Sequence, residues 1–114
     1  MAETRDEQIT EKVTIDLGIE KGKFSTDRIT TPPGADVTLR LENRDSGVAH
    51  NFALYTGPAS PEPIFSGEPV TGPGSATYTF RAPIEPGTFA FRCEMHSDSP
   101  PGTFVTETWP PEGM

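Results

Sequence analysis

Pro86-Gly87-Thr88-Phe89-Ala90-Phe91-Arg92-Cys93-Glu94-Met95-His96 is a turn, then an alternating strand, then a thiol with an imidazole three residues beyond it. Pro86 and Gly87 break whatever precedes them. With a period of two, Phe89, Phe91 and Cys93 share one face, so the cysteine points the same way as two aromatic rings. A lone cysteine so placed is ordinarily a small buried hydrophobe. The histidines change its meaning. His96 follows at Cys-x-x-His spacing, which lets a loop turn back at the strand end so that sulfur and imidazole approach one ion. His50 lies in Val48-Ala49-His50-Asn51-Phe52-Ala53-Leu54, where Val48, His50, Phe52 and Leu54 fall on one face and give the histidine an inward phase. The single cysteine and both histidines of the chain can thus meet at one point of a β-fold.

Outward from this stretch the same period recurs. Ile9 to Leu17 alternates from Val13 onward and is rich in β-branched residues, the mark of a half-buried strand, with Lys21-Gly22-Lys23 as its turn. Phe24 to Thr31 leads into Pro32-Pro33-Gly34, and Val37-Thr38-Leu39-Arg40-Leu41 is a strand that ends at Asn43-Arg44-Asp45-Ser46-Gly47. Gly57 to Gly74, broken repeatedly by Pro and Gly, predicts a long connection with at most a short turn of helix around Ile64-Phe65. Thr77-Tyr78-Thr79-Phe80 and Gly102 to Thr108 complete the set. Roughly six or seven short strands without an amphipathic helix predict an all-β Greek-key antiparallel β-sandwich. Its expected core is Val13, Ile15, Leu17, Val37, Leu39, Leu41, Phe52, Leu54, Phe80, Phe89, Phe91 and Phe104. The expected layout is a disordered N-terminal segment over residues 1–8, one domain over 9–109 and a tail over 110–114.

With 114 residues the chain has material for one core and one site. A net charge of −8 argues against nucleic acid or an anionic membrane surface, both of which need clustered Lys and Arg, and suits a basic or neutral partner. One cysteine allows no intramolecular disulfide, which leaves it free, intermolecular or metal-bound. No stretch approaches the ~20 apolar residues of a membrane span, and the opening residues carry no apolar signal-peptide region.

Two ligands at Cys-x-x-His spacing also occur in zinc sites. One thiolate and two imidazoles together are the trigonal equatorial set of a blue-copper centre. At this point the chain resembles the cupredoxins, the small single-domain blue-copper proteins. His50-Asn51 matches the family's His-Asn in a strand. Phe91-Arg92-Cys93-Glu94-Met95-His96 through Gly102-Thr103, preceded by Pro86-Gly87-Thr88-Phe89, matches its ligand loop, and Tyr78-Thr79-Phe80-Arg81-Ala82-Pro83 looks like its penultimate strand.

The resemblance implies one copper ion per chain held by His50, Cys93 and His96. It implies electron transfer rather than enzyme catalysis, transient redox partner proteins met through the His96 edge near Pro100 and Pro101, a monomer, and an extracytoplasmic (periplasmic or cell-surface) location. One departure stands out: Pro100 occupies the place of the family's weak axial Met and has no donor atom. Met95 is expected to serve packing, leaving the Ala49 carbonyl, water or nothing in the axial direction. Asn51 is expected to brace the loop backbone. Glu94 and Asp98 are expected to be solvated carboxylates that tune partner recognition. The alternatives are an open-site (non-blue or red) copper enzyme, a copper storage or delivery protein, and a structural domain that never meets copper.

Overall fold

The computed structural model describes residues 11–57, 59–96 and 99–108, so the expected boundaries near residues 9 and 109, and Asp98, lie outside the described residues. In chain order the strands are β1 (Lys12–Glu20), β2 (Lys23–Phe24), β3 (Arg28–Thr31), β4 (Asp36–Asn43), β5 (Ala49–His50), β6 (Ala53–Tyr55), β7 (Pro63–Ser66), β8 (Val70–Thr71), β9 (Gly74–Arg81), β10 (Gly87–Arg92) and β11 (Gly102–Thr106). Among the described residues there is no helix; the fold is an all-β sandwich. One sheet has the order β2-β1-β4-β9, the other β3-β11-β10-β6-β7, and β5 and β8 form a separate two-stranded ribbon.

The strands with the cleanest alternation are the ones with one buried face. In β4, Val37, Leu39 and Leu41 are buried while Arg40 and Glu42 are exposed. They stand beside Leu17 of β1, in register with Leu41. From the opposite sheet come Phe91 of β10 and Phe104 of β11, with Phe52 from the link between β5 and β6. Phe52 stacks between Phe80 and Phe91 at 5.7 and 5.4 Å, and Phe24 meets Phe91 edge-on at 5.2 Å. Each fully buried ring contributes about 1.5–3 kcal/mol of transfer free energy. Val13, Ile15, Phe80 and Phe89 are only partly buried against this core, whereas Ile19, Ile29, Ala35, Tyr78 and Ala82 join it.

Three expectations about the elements are corrected. The sheets are mixed: β1 runs parallel to β4 and β3 parallel to β11. The cause is connectivity, because the chain leaves the first sheet after β2, lends β3 to the second, and returns as β4, and such crossovers join parallel strands where a hairpin cannot. The expected single strand through Val48, His50, Phe52 and Leu54 is broken in two. Ala49 and His50 pair with β8, Ala53 to Tyr55 pair with β10 and β7, and Phe52 to Tyr55 are buried on every side rather than alternately. Finally, Ile64 and Phe65 belong to β7, an edge strand paired with β6, and not to a helical turn.

Candidate metal centre

Cys93 is the first residue beyond β10 and His50 the last of β5, so the sandwich brings two sheet ends together at one pole. Both are buried, at 3% and 2% exposure. His50 Nδ1 lies 3.5 Å from Cys93 Sγ. The ring of His96, half-buried, stands edge-on to that of His50 with centroids 4.9 Å apart, and its Nε2 is 3.1 Å from the Ala49 carbonyl. The carbonyl expected as a weak axial donor is therefore at the site and engaged with His96. Among the described residues no group of three or more His, Cys, Asp or Glu side chains is gathered closely enough to hold a metal ion as it stands. Every buried side-chain nitrogen or oxygen among them has a hydrogen-bond partner.

Beside the histidines a cavity of about 590 Å³ opens to the surface, lined by Lys21, Lys23, Asp45, His50, His96 and Pro100 among others. Pro100 itself is exposed. Met95 is 43% exposed, which corrects its expected packing role: between Cys93 and His96 its side chain faces out of the fold.

Asn51 braces the loop as expected and is buried. Its Oδ1 accepts the backbone N–H of Glu94 at 2.8 Å, and its Nδ2 donates to the Gly67 carbonyl and to Glu94 Oε1, both at 3.0 Å. Glu94 is less free than expected. Besides Asn51, the Ser66 hydroxyl donates to Oε1 and Tyr55 donates to Oε2 at 2.9 Å. The Arg92 guanidinium lies over the Tyr55 ring at 3.9 Å. Burial alone would raise the Glu94 carboxyl, but the bonds from Ser66, Asn51 and Tyr55 outweigh it and hold the group below the usual carboxylate range.

One residue escaped the sequence analysis. Asp45 Oδ2 lies 2.7 Å from His50 Nε2, on the far side of the ring from Cys93. Its carboxyl is held below the ordinary range by the Lys21 N–H, by His50 and by the Gly22 N–H. In Asn43-Arg44-Asp45-Ser46-Gly47 an aspartate reads simply as a turn former. The usable signal was an acid in the same turn that delivers a candidate ligand five residues later.

The family model of the cupredoxin-like domain matches residues 1–106. This chain belongs to the cupredoxin-like domain family. The solved structures similar to this cupredoxin-like chain include reduced auracyanin from Roseiflexus castenholzii, at 22% identity and a TM-score of 0.71, covering 83% of this chain and 97% of that one. Auracyanin A from Chloroflexus aurantiacus, a blue copper protein, matches at 24% identity and 0.73, covering 84% and 99%. Amicyanin from Paracoccus versutus matches at 26% and 0.58, covering 82% and 81%. No curated protein sequence matches the chain.

Proposed function

We propose that this cupredoxin-like domain is a copper electron-transfer protein, with one copper ion per chain held by His50, Cys93 and His96. The observation that carries this reading is the approach of His50 Nδ1 to Cys93 Sγ at 3.5 Å, both groups buried, with the His96 ring beside them. The donors suit copper chemically, since one thiolate and two imidazoles accept both of its common oxidation states. Bound there, copper supplies one-electron exchange between Cu(II) and Cu(I). The protein's part is to hold the segments that carry the donors. Asn51 ties the backbone just after Cys93 to Gly67, and Cys93 is buried in the same core as Phe52 and Phe91, whose rings stack at 5.4 Å. The half-buried His96, beside exposed Met95, Pro100 and Pro101, is the edge at which an electron would pass to a transiently bound redox protein. Pro100, which has no donor atom, would offer copper no ligand. An extracytoplasmic setting and a monomeric state belong to the same proposal.

Titration with Cu(II), followed by absorption and electron paramagnetic resonance, tests it. One equivalent is expected to produce an intense visible band from thiolate-to-Cu(II) charge transfer. Cys93→Ser is expected to abolish that band, because it needs sulfur. Colour that survives the substitution would overturn the assignment.

A further inference from the structure

Asp45 is gripped from two directions. The two-residue turn between β1 and β2 holds Lys21 and Gly22 at φ of 56° and 74°. Successive positive φ values suit a type I′ hairpin turn, and here both N–H groups of that turn point at one carboxylate. Lys21 N reaches Asp45 Oδ1 at 2.6 Å and Gly22 N reaches Oδ2 at 3.0 Å. From the other side the buried Asn43 accepts the Asp45 N–H at 2.8 Å, while its own amide donates to the carbonyls of Val48 and Val70, each at 2.8 Å. The Asp45 side chain is only 16% exposed. A carboxylate anchored in this way has one direction left, and His50 Nε2 fills it.

We propose that Asp45 is a positioning residue of the metal centre: it fixes His50 with the proton on Nε2 and the Nδ1 lone pair aimed toward Cys93, and its negative charge makes that imidazole a stronger donor. The inference rests on the reading of His50 as a ligand. An ionised carboxylate only accepts hydrogen bonds, so the 2.7 Å contact requires a proton on Nε2. A ring that carries its one proton there has a bare Nδ1, able to accept the Cys93 S–H across 3.5 Å. A carboxylate behind a ligating imidazole sets its tautomer and orientation and raises its basicity. A more basic ligand favours the more highly charged ion, so the charge of Asp45 tightens Cu(II) binding and lowers the reduction potential.

In the copper-free full chain, long-range proton–nitrogen correlation of the histidine rings reads the tautomer. His50 is expected with its proton on Nε2, and a proton on Nδ1 instead overturns the proposal. In the copper-loaded chain, Asp45→Asn and Asp45→Ala are expected to retain the thiolate band. They should bind Cu(II) about 10–100-fold more weakly and shift the potential upward. Asp36→Asn, which removes an equal charge from the exposed pair with Arg81, should leave both properties unchanged. Wild-type affinity and potential in Asp45→Asn also overturn the proposal. Where a variant fails to fold, the tautomer in the unaltered chain decides. A wild-type chain that takes up no copper refutes the ligand assignment, while the tautomer still tests the role of Asp45 separately.

Discussion

Asn51 joins three segments with one amide, and its two ends are not interchangeable. Its oxygen serves the backbone N–H of Glu94 and its nitrogen serves two acceptors, so Asn51→Ala strips partners from both at a position that is 1% exposed. The expected loss is about 1–3 kcal/mol, read as a lower urea midpoint with an unchanged slope. Asn51→Asp keeps the accepting oxygen but sets a second one against the Gly67 carbonyl and Glu94 Oε1, so it should cost at least as much near neutral pH. Tyr78 carries a pH effect of its own. It is buried, donates to the Glu68 carbonyl at 2.6 Å, and burial, helped by the charges of Cys93 and Glu68, pushes its phenol up to about 12. Below about 10 the phenol is protonated in the folded and unfolded chain alike, and the native preference is fully present. Between about 10 and 12 the unfolded chain releases the proton and the native one does not, so stability falls as pH rises through that window. Denaturant midpoints across it should decline in the wild type and decline less in Tyr78→Phe.

At the level of elements, β10 and β11 meet at the pair Phe91 and Gly102. A Cβ on Gly102 would overlap the Phe91 ring, and Phe91 is wedged against Phe52 and Phe24. Gly102→Ala should therefore cost about 1–3 kcal/mol or more by overpacking, measured by thermal or urea unfolding. This pairing also marks how far the sequence could be read. β4 was legible because it buries one face and so writes a period of two into its residues, and β10 was legible from its aromatic alternation although Ala90 is buried on the opposite face as well. β7 and β8 were not, since they are short, lie amid Pro and Gly, and owe their extension to the strands they pair with rather than to any period of their own. The parallel pairs were equally invisible, because alternation is the same in either direction. At the site, the burial of His50 and Cys93 matches the expectation, although the single strand from which His50 took its phase is broken after His50. Asp45 was hidden because its task depends on the β1–β2 turn, which is distant in sequence and adjacent only in space.

For the whole molecule, the core reaches the candidate centre only through Cys93. Leu17, Val37, Leu39, Leu41 and Phe104, which belong to the same core, lie in β1, β4 and β11, strands that carry none of the candidate ligands. The copper-free chain is thus expected to fold and to unfold cooperatively. Copper should raise its melting temperature by mass action, by an amount that grows with free copper concentration. Circular dichroism melts with and without Cu(II) check both points, and a copper-free chain without β-structure would contradict the first. The sheet order β3-β11-β10 has a further consequence, for a chain made from its N-terminus onward. β11 lies between β3 and β10 and comes last in chain order among the described strands, so among the described residues β3 has no paired strand until Gly102–Thr106 arrives. A chain that still lacks β11 leaves β3 without a paired strand among the described residues and opens a strand-wide gap beside β10.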